Sequence, residues 1–126
     1  MNSREAALKK IAVGDIVFAE VGSIGTAICL ILEVTETSIR ARDICRRDSL
    51  LFDKATGVAP DPWPVDFSDY RIVSTARLPD EMHAVLLAYD KRRSRPEPLS
   101  DEEFKLTAPE RYAIAHCSDV YDVNRI

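Results

Sequence analysis

His83 and His116 are the two imidazoles of the chain, and each could in principle serve a nucleophile or a metal. Acyl transfer by a Ser or Cys nucleophile needs a base beside it and a carboxylate that orients the base. The two histidines fall on different predicted helices, and neither has a Gly-x-Ser-x-Gly setting or an equivalent. A metal set could be assembled from His116, Cys117 and Asp119, joined by His83. Adjacent residues on a helix point away from each other, however, and the spacing matches no common zinc pattern. These residues read as a polar helix face with a buried thiol, so no catalytic residue, metal or cofactor is assigned. Gly22-Ser23-Ile24-Gly25 has the glycine content of a phosphate loop, but phosphate loops open a helix. This one leads into the most apolar run of the chain and reads as a hairpin turn.

Two groups of residues could bind rather than catalyse. Trp63 stands between Pro62 and Pro64, with Phe67 nearby and Asp61, Asp66 and Asp69 around it. Tryptophan is enriched at binding hot spots, and prolines lower the entropy a loop loses on docking. A protein-binding surface at Trp63, Phe67, Asp61 and Asp66 is therefore the leading expectation, and its acids favour a basic partner. Against it stands a structural role in which Trp63 folds back and plugs one end of the fold. The second group is basic: Arg40, Arg42, Arg46 and Arg47, then Lys91, Arg92 and Arg93 followed by Arg95. Arg40 and Arg42 share the outer face of one predicted strand, which makes nucleic-acid binding the alternative. Acids are interspersed at Glu36, Asp43, Asp48 and Asp53, and the second cluster falls in the last turn of a predicted helix, where positive charge complements the carbonyl end. The net charge of −4 and pI near 5.2 also disfavour indiscriminate phosphate binding. A small enzyme is the third reading.

The elements that would hold these residues follow from periodicity. At 126 residues, with 46% hydrophobic and 30% charged, the chain has the size and balance of one domain. It divides into an N-terminal helix over 1–12, a small barrel over 13–77 and a helical extension over 78–126. Ser3–Ile11 suits a helix capped by Ser3. Asp15–Val21, Thr26–Val34, Thr37–Ile44 and Ser49–Asp53 read as four strands with tight turns, an antiparallel meander. Residues 58–69 read as a proline-rich loop, and Tyr70–Ala76 as a fifth strand. Met82, Val85, Leu86 and Tyr89 recur at helical spacing after Pro79, giving a helix through Arg93. Ser100 with Glu103 and Thr107 with Glu110 mark two further helix starts.

Within Thr26–Val34, both faces of the strand are apolar, so a second layer must cover it. The helix 79–93 is the expected cover. If its stripe lies over Ala27, Cys29 and Ile31, barrel and helix fold as one unit; otherwise that face suits a homodimer. The longest apolar stretch, Ala27–Leu32, is far too short to span a membrane, the N-terminus has no signal-peptide pattern, and three widely spaced cysteines suit a reducing cytoplasm.

The succession Val13-Gly14-Asp15-Ile16-Val17, Glu33-Val34-Thr35-Glu36-Thr37-Ser38-Ile39 and Leu51-Phe52-Asp53-Lys54-Ala55-Thr56-Gly57 resembles SH3-like small-barrel proteins. It is most similar to a loose group of phage and bacterial proteins, and the likeness spans residues 13–57. The resemblance implies a small barrel in the cytoplasm of a bacterium or its phage; that group has no established activity, so no functional residue follows from it. The expected fold is mainly β with α (α+β): a five-stranded, SH3-like barrel with a short N-terminal helix and C-terminal helices packed on its outside.

Overall fold

The two apolar rows of residues 26–34 are separated by the pleat, and they meet two different cores. The computed structural model describes residues 3–22, 25–60 and 69–126. In it, β1 (Ile16–Val21), β2 (Gly25–Val34), β3 (Ser38–Asp43) and β4 (Ser49–Asp53) form the expected antiparallel meander, and β6 (Tyr70–Ser74) returns against β1. A further strand, β5 (Val58–Ala59), pairs with β6 through Val58↔Arg71 and Ala59↔Tyr70. Six strands therefore replace the expected five. Two residues between Gly57 and Pro60 are too few to show an alternation, which is why this strand was hidden in the loop. The order is β4-β3-β2-β1-β6-β5, and β4 and β5 also lie beside each other, so the sheet curls into a nearly closed barrel.

The barrel interior takes the smaller row of β2. Ala27, Cys29 and Ile31 pack there with Val17, Ala19, Ala41, Phe52 and Ile72. Ile28, Leu30 and Leu32 face outward, under α2 (Asp80–Arg93) and α4 (Ala108–Tyr121). The helix cover exists, but over the row opposite to Ala27, Cys29 and Ile31. The small side chains of Ala27 and Cys29 leave room inside the narrow barrel for the bulkier Phe52, Tyr70 and Ile72 contributed by other strands. Leu86 and Tyr89 of α2 are buried against that outer row, and Met82 and Val85 are half-buried. From α4, Ala113 and Cys117 join the same layer, and Tyr121 reaches Phe18 with ring centroids 5.3 Å apart. Both capping boxes form, one opening α3 (Asp101–Phe104) and the other opening α4. Among the described residues, no helix is long and apolar enough to cross a membrane.

One end of the barrel is sealed by α1 (Ser3–Lys9). Leu8 is buried in the barrel core, and the Arg4 guanidinium donates to the carbonyls of Ile72 (2.5 Å) and Thr56 (2.6 Å). This close approach depends on Gly57, whose φ is +72°. A Cβ at that position would lie 2.6 Å from Arg4 Nη2 and 3.1 Å from Leu8 Cδ2. Gly57→Ala is expected to destabilise the fold by about 1–3 kcal/mol, from left-handed strain and the displaced helix together. Chemical denaturation of the variant would measure it, and an unchanged midpoint would show that α1 does not seal the barrel tightly.

Candidate functional site

Two turns of the barrel share one design. In each, an aspartate carboxylate accepts from two backbone N–H groups ahead of it, and its carbonyl accepts from the fifth residue. Asp53 Oδ1 holds Ala55 and Thr56, and Gly57 N–H closes onto the Asp53 carbonyl at 2.7 Å. Asp43 Oδ1 holds Cys45 and Arg46 at 3.1 Å each, and Arg47 N–H closes onto the Asp43 carbonyl at 2.7 Å. The fifth residue must be left-handed. Gly57 adopts that conformation freely, but Arg47 adopts it with φ at 69°, at a cost of about 1–3 kcal/mol.

The placement is held by what the Arg47 side chain reaches. Its guanidinium bonds Asp90 Oδ1 at 2.6 Å, the Ile44 carbonyl at 3.3 Å, and Ser94 Oγ. Arg42, from the outer face of β3, bonds the same carboxylate through both oxygens at 2.9 and 2.6 Å. Burial alone would raise the Asp90 pKa, but the two guanidiniums outweigh it and hold the carboxyl below its ordinary value. A second such pair joins the helices: Arg92 bonds both oxygens of Glu110 at 2.6 and 2.7 Å, and Glu110 also accepts from Thr107 N–H as part of the α4 cap. Arg93 donates to the Cys45 carbonyl and to the Tyr89 hydroxyl. Arg46 lies 3.6 Å from Asp48 and is half exposed. Only Arg40 and Lys91 of the basic set are exposed with no ion pair or side-chain hydrogen bond among the described residues. The basic residues are thus brought together, but chiefly as a joint between barrel and helices.

Beside this joint, at the barrel end opposite α1, lies a cleft of about 240 Å³ between the start of β2, the β3–β4 turn and α4. Its walls include Val21, Ala27, Ile28, Ile114 and Cys117, with Thr26, Ser118 and Arg46 also lining it. Asp43 lines it too. This residue continues the inward row Ile39, Ala41, and its side chain is buried. While Oδ1 serves the turn, Oδ2 is buried with no partner among the described residues. Burial pushes the Asp43 carboxyl above its ordinary pKa, opposed by the two N–H donors on Oδ1. Burial also raises the thiol pKa values of Cys45 and Cys117, that of Cys117 to about 12, so neither is an activated nucleophile at neutral pH.

Trp63, Phe67, Asp61 and Asp66 lie outside the described residues. Ala59 and Tyr70, which flank that segment, pair with each other, and Tyr70 pairs with Val21, so the segment's ends lie at the cleft end of the barrel. His116 stacks on Tyr112 at 4.0 Å while Cys117 points inward and donates to the Ala113 carbonyl. Among the described residues no group of three or more His, Cys, Asp or Glu is placed to hold a metal ion. Of the buried carboxylates on which the geometry turns, the sequence marks Glu110 only as a helix-capping residue and Asp43 only as an acid among the arginines, and it does not mark Asp90. The pattern Asp43-x-x-x-Arg47 beside Asp53-x-x-x-Gly57 would have exposed Asp43. An aspartate four residues after Leu86, inside an apolar stripe, would have exposed Asp90.

Comparison with protein-family models, with curated proteins and with solved structures finds no match to this chain.

Removing Asp90 strands two guanidiniums whose side chains are only 27% and 22% exposed. Asp90→Ala is therefore expected to cost about 3 kcal/mol, the lower end for a broken buried pair, against about 0.5 kcal/mol or less for Arg46→Ala. Because the folded carboxyl has a lowered pKa, its stabilisation is complete above about pH 4 and is lost as pH falls through the depressed value. The stability gap between the native protein and Asp90→Asn should narrow on acidification; a gap that stays constant would show that charge is not what Asp90 contributes.

Proposed function

We propose that this protein is a non-catalytic, SH3-like interaction module that binds another protein through the barrel end carrying the cleft and the Trp63 segment. The observation that carries the reading is the cleft itself: apolar-walled, about 240 Å³, and bordered by the start of β2, the β3–β4 turn and α4. Its size suits one or two side chains of a partner better than a whole cofactor. Trp63 and Phe67 would extend the contact as aromatic anchors, since the segment bearing them leaves and re-enters the barrel at this end. The three free thiols are in keeping with work in a reducing cytoplasm.

What weighs against nucleic acid is the occupancy of the arginines. Arg42, Arg47 and Arg92 are held by buried carboxylates, which leaves Arg40 and Lys91 as separate exposed charges. Counterion release needs several cations free to neutralise phosphates.

Peptides selected by display against the full chain test the reading. Their affinity should fall at least about tenfold in Trp63→Ala with the melting temperature unchanged. A large fall in melting temperature with affinity retained would make Trp63 a core plug and remove it from the interface. Retarded DNA or RNA at low salt, abolished in Arg40→Glu with Lys91→Glu, would replace protein binding by the nucleic-acid alternative.

A further inference from the structure

A second cleft, of about 600 Å³, lies at the other end of β1. Val21, the last residue of β1, lines the cleft described above, and Ile16, the first, lines this one. Its apolar lining is Val13, which is 65% exposed, with the buried Ile16 and Leu78. Lys10, Arg77 and His83 line it as well, and Thr75 supplies a hydroxyl. A groove of about 460 Å³ shares Lys10, Asp15 and Thr75 with it and carries the apolar lining on to Ala6, Ala7 and Ile11. Nothing in this site depends on the Trp63 end of the barrel.

The fold gives these basic side chains little other employment. Lys10 and His83 have no side-chain hydrogen bond or ion pair among the described residues. Arg77 meets Asp80 at 3.6 Å, but the two side chains are 88% and 92% exposed, and Asp80 does not line the cleft. Lys10 follows α1, where positive charge suits the helix end. Arg77 and His83 flank the start of α2, where it does not. Among the described residues lining the cleft, Asp15 is the one acid, and its Oδ2 accepts from Ala12 N–H at 2.8 Å. Counted as full charges, Lys10 and Arg77 outnumber that acid by one, so the cleft matches a ligand with a single negative charge. A carboxylate carries one and can take both donors of a guanidinium fork. A phosphate monoester carries nearly two and would be repelled by Asp15. The volume lies in the range of small-molecule sites, whose walls are mainly apolar with a few placed polar groups. We propose that this cleft binds a small amphipathic carboxylate, its charged group held by Lys10 and Arg77 and its apolar body on Val13, Ile16 and Leu78.

Titration of the isotope-labelled full chain with octanoate, and separately with 1-octanol and octyl phosphate, tests the site by amide chemical shifts. Octanoate should move the amides of Gly14, Asp15, Thr75 and His83 and bind at least about tenfold more tightly than the alcohol. Lys10→Gln with Arg77→Gln removes two charges that no buried group holds. The melting temperature of that double variant should stay unchanged while the preference for octanoate shrinks to within about twofold. Val13→Glu, which sets a negative charge on the exposed wall, should weaken octanoate more than 1-octanol. Equal binding of octanoate and 1-octanol, shifts confined to another face, or a preference that survives the double substitution would overturn the proposal. Octyl phosphate binding more tightly than octanoate would overturn the assignment to a carboxylate.

Discussion

Asp90 is a single carboxylate on α2 that accepts from two arginines of the barrel, and the joint between the two layers depends on it. Apolar contact between Ile28, Leu30 and Leu32 and the helices supplies the attraction, but that attraction has no direction. A helix could slide along such a surface at little cost. Three charge-assisted bonds to one buried carboxylate remove that freedom, because any shift of α2 would strand a charge in a poorly solvated site. The same joint stabilises the unusual turn beside it. Arg47 stays left-handed because its guanidinium is engaged on Asp90 and Ser94. The turn in turn orients Asp43, Cys45 and Arg46 around the cleft.

Charge placement thus differs between the joint and the barrel end that carries the cleft. Most of the basic residues that looked available for phosphate lie inside the joint, where they meet buried carboxylates or backbone carbonyls. The end of the barrel away from α1 has the opposite character: it carries an apolar-walled cleft, lined in part by Asp43, whose buried side chain keeps one oxygen unpaired among the described residues. Leu8 and Arg4 seal the end that carries the Asp53–Gly57 turn, while the opposite end carries the Asp43–Arg47 turn and the cleft. Loops held by a rigid scaffold are where binding residues concentrate, and the barrel provides that scaffold.

Much of the fold was legible in the chain because local signals agreed with one another. Glycine and aspartate at the turns, alternating residues between them, and paired capping boxes at Ser100 and Thr107 marked the elements to within a residue or two. The strand Val58–Ala59 escaped because two residues carry no period. The two rows of β2 were recognised as buried, yet their sides were exchanged, since alternation states that the rows differ but not which one turns inward. The candidate site was less legible. An arginine on a strand looks the same whether it faces water or a carboxylate forty-eight positions away, as Arg42 does with Asp90.

The sequence by itself determined the meander, the two-sided burial of residues 26–34, the helices that must cover it and the absence of any familiar catalytic spacing. Those are properties of neighbours along the chain, expressed through turn chemistry and side-chain period. Only the tertiary structure decided which row faces the barrel, which arginines are spent on buried acids and which carboxylate oxygen stays unpaired. These depend on curvature and on contacts between residues distant in the chain, and a buried charge shows its role only when its surroundings are assembled around it.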